Sequence, residues 1–225
     1  MIRDLDDFFA FTYRWFDATP GELGISEKEL PVGLPEPLRR FYCAIGTLTL
    51  ESCPFADNQW ELPLGTQDGI TPPAQLKFGD DWIEFASENQ GNWSARCLRI
   101  GEDPPVLMNW AWMSDEAIGD AHVRVGSNLS DYLISFSLQE FVFHSRSRGA
   151  KHGTIAGFEP LPLWVNKRLF NYEGWGTKPM NNPSHSFFIS PNEAWLLMKG
   201  WTAAAPYFIA DRNVSRRRVD RRAKE

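Results

Sequence analysis

Residues 82–110 read WIEFASENQGNWSARCLRIGEDPPVLMNW, and their spacing decides the fold class. Trp82 to Ala86 alternates as a strand does, with Ile83 and Phe85 on one side and Trp82, Glu84 and Ala86 on the other. Glu88-Asn89-Gln90-Gly91 is rich in turn formers, and Gly91 supplies the positive φ that a tight hairpin needs. Trp93 to Ile100 is a second strand, and Gly101 to Pro105 a second turn. Val106 to Trp112 is a third strand, with Val106, Met108, Trp110 and Trp112 on one face. Three strands joined by short turns make an antiparallel meander.

Helices precede the meander. Leu5, Phe8, Phe9, Thr12, Trp15 and Phe16 follow the i, i+3, i+4, i+7 rule and predict an amphipathic first helix that stops near Thr19-Pro20-Gly21. Ser26 with Glu29 reads as a capping box on a short helical turn. Pro37 suits the first turn of a second helix, which puts Leu38, Phe41, Tyr42 and Ile45 on one face. Gly46 is expected as its left-handed C-cap. From Leu48 the interruptions at Pro54, Pro63, Pro72 and Pro73 predict short strands and loops.

Beyond the meander, Asp115 to Gly126 is polar and expected as loop. Tyr132, Ile134 and Phe136 alternate and predict a short extended segment. A capping box of Ser137 with Glu140 then opens a closing helix. Ser145 to Gly153 has linker composition. Strands are expected at Phe187 to Ser190, Ala194 to Met198 and Pro206 to Ala210, with Asn192 in the turn between the first two.

Composition bounds the partners. The chain has 225 residues, 43% hydrophobic and 23% charged, which is globular composition. Ten tryptophans and sixteen phenylalanines predict an aromatic-rich core. The net charge of -6 is uneven: residues 212–225 carry seven Lys/Arg against two Asp/Glu, a net +5, which leaves -11 on the rest. An acidic body repels nucleic acid and steers basic partners toward itself. The basic end reads as a solvated, disordered tail, because its RRRVDRR run has no interleaved aromatics.

The N-terminus lacks the basic n-region and apolar h-region of a signal peptide, and no apolar run approaches the roughly 18 residues of a membrane span. Cys43, Cys53 and Cys97 are sparse, odd in number and without CxxC spacing, which suits reduced thiols. The expected location is the cytoplasm.

Four pieces in order carry a family resemblance. They are Leu34-Pro35 before the helix ending at Gly46, Phe85-Ala86 with Asn89-Gln90-Gly91, Asp103-Pro104-Pro105-Val106, and Ser135-Phe136-Ser137-Leu138-Gln139-Glu140-Phe141. Together they resemble the SMI1/KNR4 family, or SUKH superfamily, over residues 1–145. The chain departs from that pattern in having Thr47 where the family often has a second glycine after Gly46, and in its extra C-terminal residues.

The resemblance implies an α+β fold, a mostly antiparallel sheet with helices packed against it. Residues 1–145 then form the SUKH-like core, 146–211 a β-rich extension of the same domain, and 212–225 the tail. It also implies a binding protein, since many bacterial members look like immunity proteins that neutralise nuclease or deaminase toxin domains. The family has no common catalytic residues, so none carries over.

Independent tests for chemistry agree with that direction. His122, His144, His152 and His185 are scattered, with no HExxH and no zinc-deaminase pattern, so no metal is expected. Asp80, Asp81, Glu84 and Glu88 include no spacing beyond that of acids on solvated strands and turns. Residues 149–154 lack the spacing of a phosphate loop, and no cofactor motif is present.

The expected recognition face is acidic: Glu84, Glu88, Glu102 and Asp103 at turns and exposed strand positions, with Trp93 beside them. Packing is the ordinary reading of Trp93 and Trp110. The reading that follows is a non-catalytic protein-binding module, an immunity protein that neutralises a basic, nuclease-like toxin domain by mimicking the charge of its substrate. A cytosolic regulatory or scaffold protein is the alternative, and an enzyme of unrecognised type a minor one.

Overall fold

A computed structural model describes residues 2–56, 61–66, 68–110, 123–126, 128–147, 163–166, 186–190, 192–199 and 207–216. The first helix, α1 (Leu5–Phe16), buries all six residues that its periodicity picks out. Asp4 caps it by accepting the Asp7 N–H at 2.9 Å. It ends at Asp17, whose φ of 53° turns the chain out of the helix. A short turn, α2 (Pro20–Leu23), then begins with Glu22 accepting the Thr19 N–H at 2.8 Å. The expected capping box of Ser26 with Glu29 forms on a single 3-10 turn, with the Ser26 N–H donating to Glu29 at 3.2 Å.

The helix α3 (Glu36–Ile45) buries Pro37, Leu38, Phe41, Tyr42 and Ile45. Arg39 pairs with Glu36 and Glu27, and Arg40 with Asp6, on its solvent side. Gly46 does not take the left-handed cap expected of it: its φ is -60° and the chain continues into a 3-10 turn. Its lack of a side chain serves close approach instead, since a Cβ there would lie 2.8 Å from Ile25 Cδ1.

Gly24 is more tightly constrained, because a Cβ would lie 2.2 Å from the Cys43 carbonyl oxygen. Backbone has no rotamer with which to yield. Gly24→Ala is therefore expected to push the Gly24–Ile25 segment off α3 and cost about 1–3 kcal/mol in a denaturant titration. An unchanged midpoint would show that the two segments separate freely.

The central sheet has six antiparallel strands: β1 (Asp68–Ile70), β2 (Lys77–Phe78), β3 (Trp82–Glu88), β4 (Trp93–Leu98), β5 (Val106–Trp110) and β6 (Val123–Gly126). The meander β3-β4-β5 forms as expected, with Gly91 turning the first hairpin at φ 74°, but the register shifts between Glu84 and Ala86, β4 ends at Leu98 instead of Ile100, and Trp112 of the expected third strand lies outside the described residues. β1 and β2 pair with the two ends of β3, and β6 pairs with β5. Val123–Gly126 is thus strand where loop was expected. Its alternating Val123-Arg124-Val125 is hidden in the sequence by the polar stretch around it. Residues 111–122 lie outside the described set.

The largest departure is α4 (Leu129–Ser147), one helix across both the expected extended segment and the expected capping box. Its N-terminus is closed by Asn128, whose Oδ1 accepts the Asp131 N–H at 2.7 Å, and by Asp103, which accepts the Ser130 N–H at 2.9 Å. Residues 132–145 are all buried. A helix surrounded by protein has no polar stripe, so its apolar period vanishes and Tyr132-Ile134-Phe136 imitates a strand. Ser137 and Glu140 lie inside the helix, fully buried.

After α4 comes a second antiparallel sheet of β7 (Leu163–Asn166), β8 (Ser186–Ile189), β9 (Trp195–Lys199) and β10 (Tyr207–Asp211), ordered β10-β9-β8-β7. Asn192 occupies the β8–β9 turn, accepting from Ser190 Oγ at 2.8 Å and from the Ala194 N–H at 3.2 Å. The sheet packs on α4: Phe143 meets Phe208 edge-on at 5.5 Å, and Ser145 Oγ accepts the Asp211 N–H at 2.9 Å. Phe187, Ile189, Leu196, Met198 and Phe208 join the same hydrophobic core as α1 and α3. The molecule is α+β, with the C-terminal strands as an extension of that core.

The expected tail begins differently. Arg212–Ser215 is a helical turn, α5, and Arg216 donates to the main-chain oxygens of Trp15 at 3.0 Å and Arg14 at 2.7 Å. Residues 217–225, and 148–153 of the expected linker, are outside the described set.

Candidate functional site

Two turns meet at one end of the central sheet. In the β2–β3 turn the Gly79 N–H donates to Trp82 O at 3.0 Å, which leaves Asp80 and Asp81 exposed. In the β4–β5 turn the Arg99 N–H donates to Asp81 O at 2.9 Å, so the turns are joined through their backbones. The Arg99 side chain makes a second tie, reaching Gly79 O at 3.4 Å and standing 5.7 Å from the Phe78 ring centre. It also lies against Gly33, where a Cβ would come within 2.9 Å of the guanidinium. Gly33 has φ 85°, which glycine adopts at no steric cost.

This arrangement presents apolar side chains to solvent. Val32 is 93% exposed, Ile100 76% and Phe78 40%. Of the large hydrophobics exposed among the described residues, only Trp195 lies elsewhere. Asp80, Asp81, Glu102 and Asp103 stand in the same two turns, all exposed. Exposed apolar side chains and exposed carboxylates thus share this end of the sheet.

The five sequence-predicted recognition residues divide. Glu102 and Asp103 belong to this end, with Asp103 also closing α4. Glu84 is 7% exposed, which corrects the exposed strand position expected for it. Its carboxylate accepts from Ser94 Oγ at 2.6 Å, Lys77 Nζ at 2.8 Å and Arg96 Nε at 3.1 Å. Arg96 is 1% exposed and stacks 3.8 Å over the Trp82 ring. Burial acts to raise the Glu84 pKa, and the bonds from Lys77, Ser94 and Arg96 outweigh it and hold the group below the usual range.

Glu88 is half-buried and closes the β3–β4 turn, accepting the N–H groups of Gln90 at 3.1 Å and Asn92 at 3.0 Å. Trp93 is buried in the core, as its packing reading expects. Glu88 and Trp93 lie at the opposite end of β3 and β4 from these two turns.

Sequence reading missed Val32, Phe78, Arg99 and Ile100. The sequence does not single them out: Val32, Phe78 and Ile100 each stand directly before a glycine, but so do Leu23, Ile45 and Leu64, which are fully buried. Gly33 and Gly101 have positive φ.

A second polar cluster lies inside the protein. Glu140 of α4 accepts the N–H groups of Thr66 at 3.0 Å and Asp68 at 3.3 Å. Burial, then the nearby Glu88 charge, push Asp68 up to about 7, against the pull of an Asn89 N–H. Burial raises Tyr132 too, with Asp68 and Glu140 adding to it. The Cys97 thiol is pushed up to about 12 by burial, which removes its thiolate at neutral pH.

Among the described residues, no three His, Cys, Asp or Glu side chains converge as metal ligands. His144 is buried in α4, and His122, His152 and His185 are outside the described residues. No helix among the described residues is long and apolar enough to cross a membrane. No family model, curated protein or solved structure matches the chain.

Proposed function

We propose that the chain is a non-catalytic protein-binding module, an immunity protein that neutralises a basic, nuclease-like toxin domain in the cytoplasm. The observation that carries this is the end of the central sheet where Val32, Phe78 and Ile100 are exposed and the exposed acids Asp80, Asp81, Glu102 and Asp103 stand in the two joined turns. The apolar residues supply the desolvated centre of an interface, where most binding energy concentrates. The acids supply steering toward a cationic partner and exclude nucleic acid from the same surface. The resemblance to the SUKH superfamily supports the same reading. Glu102 and Asp103 remain in the proposed recognition set, while Glu84, Glu88 and Trp93 support the sheet that presents it.

The test begins with the partner that co-purifies with a tagged chain from its native host, then co-expresses that partner with wild type and variants. Ile100→Asp is expected to weaken the complex by about 2 kcal/mol, or roughly thirtyfold, while leaving the melting temperature unchanged because the side chain is already in water. Wild type suppresses the partner's toxicity and the variant does not. A partner without toxicity, or equal protection by Ile100→Asp, would overturn the reading. Raising salt is expected to slow association, and an association rate that ignores salt removes the electrostatic part.

A further inference from the structure

We propose that Asp68, Glu88 and Glu140 form a proton-held clasp joining the 62–68 segment and the β3–β4 hairpin to α4, tight while Asp68 carries a proton and loosened when it ionises. The clasp sits at the Glu88 end of β3, away from the docking end, and does not depend on what docks there.

The geometry comes first. Glu140 reaches out of the central helix and fixes two successive described amides of the segment, those of Thr66 and Asp68. β1 then pairs with β3 in a register that sets Asp68 opposite Glu88. Glu88 in turn holds the hairpin through Gln90 and Asn92, and the Asp68 carboxyl takes the N–H of Asn89. One chain of carboxylates thus links three elements.

Burial makes the chain sensitive to protons. Asp68 and Glu140 are buried, and Asp68 Oδ1 is sealed from water with no hydrogen-bond partner. A neutral carboxyl tolerates that position far better than a carboxylate does. Among the described residues, the ionisable groups set against Asp68 are Glu88 of β3 and Glu140 and Tyr132 of α4, none of them cationic.

The sign follows from linkage. Asp68 is pushed up to about 7 in place, whereas an opened segment returns it to the ordinary value of 3.8. Opening therefore releases a proton between those values. It becomes progressively easier as pH rises through that window and levels off above it.

Amide hydrogen exchange on the full chain tests this. Corrected for intrinsic rates, protection of the Asp68–Ile70 amides is expected to fall more than about tenfold from about pH 4.5 to about pH 7.5. Asp68→Asn keeps an oxygen for the Asn89 N–H and removes the proton. It is expected to flatten that profile and to protect β1 more than wild type does at the upper pH only. Glu88→Gln, which removes the neighbouring charge but keeps an acceptor for the hairpin, is expected to shift the profile to lower pH. A wild-type profile that is flat, or that persists in Asp68→Asn, overturns the clasp.

Discussion

Phe141→Ala is expected to cost about 3–5 kcal/mol, the loss typical of truncating a fully buried phenylalanine. Phe141 is where the helical layer closes. Its ring stacks on Phe8 at 6.1 Å and meets Phe16 edge-on at 5.0 Å, and Phe16 continues to Phe55 at 4.9 Å. All four rings are buried at 0–1% exposure, so truncation leaves a void that two rigid aromatic neighbours on α1 fill poorly. Against a total stability of about 5–15 kcal/mol, a loss of that size removes a large share of the folded margin. Urea titration checks it: the midpoint falls while the slope stays constant. Phe141→Leu, which keeps most of the volume, is expected to lose less. A loss below about 1 kcal/mol for the alanine would show that α1 collapses onto α4 without the ring.

Much of this layer was legible in the sequence, and the reason is physical. α1 and α3 each bury one face, so their apolar residues recur at helical spacing and name the core directly. The β3-β4-β5 meander was legible because turn chemistry at Gly91 and at Pro104-Pro105 punctuates it. α4 was not, because burial on every side removes the contrast that periodicity measures. Its polar residues then looked like boundaries: Ser137 with Glu140 has the spacing of a capping box but lies mid-helix. The true start used Asn128, and also Asp103, which is 27 residues before the Ser130 amide it accepts from. Local pattern reading has no access to a cap of that kind.

The exposure of the expected acids was only partly legible. The acid excess pointed to a basic partner, and Glu102 and Asp103 stand at the proposed surface. Acid type alone did not separate a solvated carboxylate from one buried in a bonded network. Strand alternation put Glu84 on the face away from Ile83, and correctly so. It carried no information that this face is also covered.

Glu84→Ala is the measurement that separates those two kinds of acid. It is expected to cost about 3–5 kcal/mol, the range for removing one partner of a buried ion pair. The substitution takes away the carboxylate that Ser94, Arg96 and Lys77 share, and Arg96 stays behind at 1% exposure under Trp82. Lys77, 73% exposed, contributes little to the network, so Lys77→Ala is expected to change stability by less than about 1 kcal/mol. Replacing both members, Glu84→Leu with Arg96→Met, is expected to cost less than Glu84→Ala alone, since both buried charges of the pair are then removed together. The pH dependence has a definite sign. Glu84 is held below its ordinary value of 4.5, so its contribution is present at neutral pH and is lost as pH falls through the folded-state value. This runs opposite to the Asp68 profile, and the two are separable by variant. If Glu84→Ala instead left stability within about 1 kcal/mol of wild type while weakening partner binding, Glu84 would be reached by solvent and would rejoin Glu102 and Asp103 in the proposed recognition set.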